Sequence, residues 1–104
     1  MIATDELNEY LEEYLEEKQE VKNLTQETIK KQTFNISKFI NFLEDKGVEE
    51  LTDSNVKKQL RQYRRYCLKQ RENKRTTVKT YMMNILEFIN SEDVQGKSSM
   101  KQLK

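Results

Sequence analysis

The sequence predicts an all-α domain, a compact bundle of four helices. Three observations point there. Apolar residues recur at helical spacing in four separate segments. Proline is absent and glycine occurs only twice, so the chain lacks the turn residues a sandwich or barrel would need. Hydrophobic and charged residues are nearly equal, at 35% and 36%, which suits helices that each bury one stripe and solvate the rest. With 104 residues the chain makes one small domain with a small core.

The first helix is expected over Asp5 to Gln19, with Leu7, Tyr10, Leu11, Tyr14 and Leu15 as its inward stripe and Thr4 or Asp5 as its cap. Its other faces are almost all glutamate. They read as a solvated face, with docking to a basic partner surface as the alternative. The second helix begins at Thr25, buries Ile29, Thr33, Ile36, Phe39, Ile40 and Leu43, and stops where Gly47 supplies a left-handed residue after Lys46. Phe42 and Phe34 lie off that stripe. Either one of them packs under the first helix, or an aromatic is left exposed for another domain or subunit.

Thr52 caps a third helix, in which Val56, Leu60, Tyr63 and Cys67 face inward and Lys57, Lys58, Arg61, Arg64, Arg65 and Lys69 occupy the opposite half. Cys67 reads as a small core residue. A polar joint, Gln70 to Arg75, leads to a fourth helix capped by Thr76 or Thr77. Its inward residues are Val78, Met82, Ile85 and Ile89, flanked by Tyr81 and Phe88, while Met83 points outward. Residues 1–94 form the domain. Residues 95–104, starting Gln95-Gly96-Lys97-Ser98-Ser99, have linker composition and are expected to be a disordered tail.

Charge is balanced in sum and segregated in place. Residues 1–20 hold eight acids against one base, whereas residues 57–79 hold ten bases against Glu72 alone. The local fields differ in sign although the formal total is +1. The basic segment can neutralise phosphates, so double-stranded nucleic acid is the first partner to consider. Six bases on one half of the third helix have no acid at i,i+4, and therefore look for an external anion or for the acidic first helix of the same fold.

The catalytic inventory is thin. Histidine is absent, no glycine-rich phosphate loop occurs, and the pairs Glu12/Glu13 and Glu16/Glu17 sit on an exposed face, so no catalytic residue is assigned. A lone cysteine without histidine excludes a disulfide within the chain and a Cys/His zinc site, and no metal or cofactor is expected. The first residues lack a signal pattern, and no apolar run approaches the ~18 residues of a membrane span. A cytoplasmic, non-membrane protein follows.

Two helix starts have the makings of phosphate sites, because the first amides of a helix lack internal partners. They are Leu24 to Lys31 and Asn73 to Thr80, each with hydroxyls and with lysines in the first two turns. On the fourth helix Thr76, Thr77, Thr80 and Asn84 make a short, uncharged face able to enter a major groove. Asn84 could pair with adenine and a threonine methyl could touch thymine, while Lys74, Arg75 and Lys79 would grip the backbone. A polar helix surface without a ligand is the competing reading.

The order Tyr14-Leu15, Leu24-Thr25-x-x-Thr28-Ile29, Ile36-x-x-Phe39-Ile40-x-Phe42-Leu43, Gly47, Leu51-Thr52, Arg75-Thr76-Thr77-Val78 and Ile85-Leu86-x-Phe88-Ile89 resembles the N-terminal core-binding domain of phage integrases and other tyrosine recombinases. The resemblance covers about residues 7 to 94. It implies a SAM-like four-helix fold that clamps recombination-site DNA for a separate C-terminal catalytic domain of the same full-length protein, alongside other recombinase subunits. It maps the DNA contacts onto Gln26, Lys30 and Lys31 of the second helix and onto Lys74, Arg75, Thr76, Thr77, Lys79, Thr80 and Asn84 of the fourth, leaving the third helix to flanking phosphates. A helical protein-interaction module, with acidic first and basic third helices pairing between subunits, and a stand-alone DNA-binding regulator are the alternatives.

Overall fold

The computed structural model describes residues 2–21, 25–52, 54–69 and 74–91, and four helices form there in the order of the apolar stripes. They are α1, Leu7–Val21; α2, Gln26–Asp45; α3, Val56–Lys69; and α4, Arg75–Ile89. A strand β1, Ile2–Ala3, and a 3-10 turn, Thr4–Glu6, precede α1, and a strand β2, Glu50–Leu51, lies between α2 and α3. The expected tail at 95–104 and most of the joint before α4 lie outside the described residues.

Each helix buries its stripe. Leu7, Leu11 and Tyr14 of α1 meet Ile36, Phe39, Ile40 and Leu43 of α2, and Val56, Leu60, Tyr63 and Cys67 of α3 join Val78, Ile85, Phe88 and Ile89 of α4 in one cluster. Each of these aliphatic side chains contributes about 1.5–3 kcal/mol by leaving water. Edge-on ring pairs tie the helices further, Tyr14 to Phe88 at 5.3 Å and Phe39 to Tyr63 at 5.2 Å between centroids. Helix α2 is the hub, packing chiefly against α1 on one side and α4 on the other, whereas α3 leans mainly on α4. Tyr10, Leu15, Ile29, Thr33 and Met82, expected inside, are half-buried.

The helix ends follow local chemistry. The Thr25 hydroxyl accepts from the Thr28 amide at 3.2 Å and caps α2. Gly47, with φ +74°, ends α2, and its amide donates to the Glu44 carbonyl at 3.0 Å. Thr52 acts one turn ahead of α3: its hydroxyl accepts from the Asn55 amide at 3.2 Å, and the Asn55 side chain accepts from the Thr52 amide at 2.9 Å. This reciprocal pair does the work of a capping box.

Three expectations are corrected. Thr4 does not cap the first helix; it is buried, and its hydroxyl donates to the Val48 carbonyl at 2.6 Å, because β1 pairs antiparallel with β2 and draws the chain start against the α2–α3 connection. Phe42 turns to α3, with ring centroids 5.1 Å from Tyr63 and 5.3 Å from Tyr66, while Phe34 is 54% exposed, so neither fills the place under α1. Helix α4 starts earlier than the threonines suggest: Lys74 is its N-cap, its carbonyl accepts from the Val78 amide at 3.0 Å, and Thr76 and Thr77 are inside the first turn. The bases of α3 are exposed.

Lys18, the single base of the acidic segment, is buried. Its ammonium pairs with Glu87 of α4, lies 3.4 Å from Oε1 of Gln32 of α2, and sits 5.0 Å from the Tyr14 ring centroid. It therefore knots α1, α2 and α4. Near the start of α1 the Tyr10 hydroxyl donates to Glu6 at 2.7 Å, and that bond, burial and the charges of Glu6, Glu9 and Glu13 push the phenol pKa up to about 12. Among the described residues no helix is long and apolar enough to cross a membrane.

Candidate nucleic-acid interface

The Lys18 knot holds α2 against α4, and beside it the N-terminal halves of these two helices border an open cleft of about 630 Å³. Lys30, Lys31 and Phe34 line it from α2, together with Thr28, Gln32 and Asn35. Thr77, Thr80, Tyr81 and Asn84 line it from α4. Residues three and four apart share a helix face, which is why 28, 31, 32 and 35 stand together on one wall and 77, 80, 81 and 84 on the other.

Of the residues singled out in the sequence, the cleft brings together Lys30, Lys31, Thr77, Thr80 and Asn84. Gln26, Lys74, Arg75, Thr76 and Lys79 are exposed but do not line it. They stand one turn before the lining residues or beside them: Gln26 precedes Lys30 by four positions, Thr76 precedes Thr80 by four, and Lys79 adjoins Thr80. Thr80 is partly committed, since its hydroxyl donates to the Thr76 carbonyl at 3.2 Å and leaves only its lone pairs and methyl for a partner.

Among the described residues the lining contains no carboxylate. In a chain with 18 acids that is a selective feature, because two other clefts do contain them. The cleft between α2 and α3, with Lys38, Lys46 and Tyr66, includes Asp45, and the one beside β1 and β2 includes Asp5, Glu44, Glu49 and Glu50. Only the α2–α4 cleft of these three offers cations and neutral hydrogen-bonding groups without a repelling charge. Comparisons with protein-family models, with curated proteins and with solved structures found no match.

The two helix starts differ. Thr25 engages the Thr28 amide and shares a 2.9 Å contact between hydroxyls, so the start of α2 is partly satisfied. Among the described residues no side chain caps α4, and no acid occupies its first turn. Its leading amides, with Lys74 and Arg75 around them, are the better anion site.

Phe34 was not among the residues assigned to the site. It is exposed, and Lys38 Nζ lies 5.1 Å from its ring centroid. The signal was present in the sequence, where Phe34 falls among lysines on the polar side of its helix. Chemically the cleft can hold a polyanion at its lysines and meet planar or methylated groups with Phe34, the Asn84 and Asn35 amides and the threonine methyls.

Proposed function

We propose that this chain is a DNA-binding domain of the phage-integrase type, which clamps and positions duplex DNA for catalysis carried out by a separate domain. One observation carries the reading: the α2–α4 cleft joins Lys30 and Lys31 to Thr77, Thr80 and Asn84 without a carboxylate among the described residues of its lining. The lysines of α2, with Lys74, Arg75 and Lys79 of α4, contact phosphates and set position. Asn84, Thr80 and Thr77, short enough to let the backbone approach base edges, read sequence in the major groove. The four-helix architecture and the resemblance in the order of its sequence elements support the same assignment.

Five phosphate contacts give a salt slope of about −4.5, so affinity for a duplex should fall roughly 10²- to 10³-fold between 50 and 200 mM salt. Fluorescence anisotropy with a labelled duplex tests this. Lys74→Ala with Arg75→Ala should lower affinity and flatten the slope by about 2. Equal binding by parent and double variant would refute the contact assignment, and absence of binding at low salt would refute the DNA reading.

A further inference from the structure

Two outer surfaces of the bundle carry matched stripes of opposite charge. On α1, Glu9, Glu12, Glu16 and Glu20 are all exposed. On α3, Lys58, Arg61, Arg65 and Lys69 are all exposed. Both sets follow the same spacing, offsets 0, 3, 7 and 11. At 3.6 residues per turn this places four side chains in a stripe about 80° wide and about 16 Å long. The stripes are equal in length, alike in register and opposite in sign.

Among the described residues, no ion pair joins the two stripes within one molecule. Helix α1 packs chiefly on α2, and α3 on α4. Helix α3, Val56–Lys69, contains no acid at all, so its cations repel one another along the helix. A duplex laid on α3 would relieve that repulsion but leave the acids of α1 unanswered. A second copy of the chain answers both stripes with one kind of contact.

We propose that the acidic stripe of α1 on one copy docks along the basic stripe of α3 on the next. Four oppositely charged pairs form in register. The contact joins two different surfaces, so it is head-to-tail, and a docked pair keeps a free basic stripe on one copy and a free acidic stripe on the other for further neighbours. It is rim-like and solvent-exposed, hence weak and strongly screened by salt. It involves none of the residues of the α2–α4 cleft and stands whether or not that cleft binds DNA.

Sedimentation velocity without DNA tests it. The wild-type chain should associate with rising concentration at about 20 mM salt and be monomeric at about 500 mM, where the screening length is only ~4 Å. Glu12→Lys with Glu16→Lys, and separately Arg61→Glu with Arg65→Glu, should each be monomeric at low salt while keeping the helical circular dichroism of the parent. An equimolar mixture of the two should associate again, because the intact acidic stripe of one meets the intact basic stripe of the other. A milder pair, Arg61→Gln with Arg65→Gln, should weaken association without reversing charge. A monomeric wild type at low salt, variants that associate like the parent, or a mixture that stays monomeric would each overturn the proposal. So would loss of duplex binding in Arg61→Glu with Arg65→Glu when the wild type is monomeric without DNA, since α3 would then be a phosphate contact.

Discussion

Replacing Glu87 with Gln should cost more stability than replacing its buried partner. The Lys18 side chain is 7% exposed and that of Glu87 is 45% exposed. Removing one member of a fully buried ion pair costs about 3–5 kcal/mol, because the survivor is left charged and dry. In Glu87→Gln the survivor is the buried ammonium, which keeps Gln32, the Tyr14 ring and a neutral amide oxygen in place of a carboxylate. Glu87 is half in water, so its attraction is already screened, and the expected loss drops to about 1–2 kcal/mol. In Lys18→Met the survivor is a carboxylate that can rehydrate, and methionine fills the same slot between α1, α2 and α4 with an apolar chain. That change should stay within about 1 kcal/mol of the parent. Urea unfolding followed by helical circular dichroism measures both. With a slope of about 1–1.5 kcal/mol per molar, Glu87→Gln should lower the midpoint by roughly 1 M. A Lys18→Met variant less stable than Glu87→Gln would refute the reasoning and show that the pair is held by Coulombic attraction rather than by the cost of stranding a buried cation.

Other outcomes follow from single positions. Gly47→Ala should destabilise the domain by about 1 kcal/mol through backbone strain alone, since φ is +74° and an added Cβ meets nothing within 4 Å. The same urea titration reads it, and an unchanged midpoint would contradict the strain argument. In an absorbance titration of the phenols, Tyr10 should ionise near pH 12, and Glu6→Gln should bring it back toward the ordinary value of 10. The folded chain holds that proton more tightly than the unfolded one, so the contribution of Tyr10 to stability is whole below pH 10 and is lost as pH rises toward 12. A phenol titrating normally in the parent would remove the Glu6 hydrogen bond from the account. Lys30→Ala with Lys31→Ala should weaken duplex binding on all sequences alike, whereas Asn84→Ala should narrow the difference between preferred and random duplexes. Binding curves on two duplexes separate these effects, and a uniform loss in Asn84→Ala would make it a backbone contact.

Much of the bundle was legible because its information is local. The stripes Ile36, Phe39, Ile40, Leu43 and Val56, Leu60, Tyr63, Cys67 follow the helical period, and Thr25 and Gly47 act within one turn of their own positions. The two walls of the candidate cleft were legible in the same way: Lys30 and Lys31 on one helix, Thr77, Thr80 and Asn84 on the other. Illegible features depend on what a distant segment supplies. Lys18 looks like an ordinary surface lysine until Glu87, 69 positions away, is placed over it. Thr4 resembles a helix cap, but pairing of β1 with β2, two residues each, brings the Val48 carbonyl to its hydroxyl instead. Phe42 lies off the stripe of α2 because its partners, Tyr63 and Tyr66, belong to α3. The absence of acid among the described residues of the α2–α4 cleft is likewise a property of two helices together.

The most direct test of a duplex-binding α2–α4 cleft is a backbone amide NMR titration of the chain with a short duplex at low salt. Shifts should concentrate at residues 28–35 and 74–84 and vanish as salt is raised. Shifts confined to α3, or spread over α1, would contradict it.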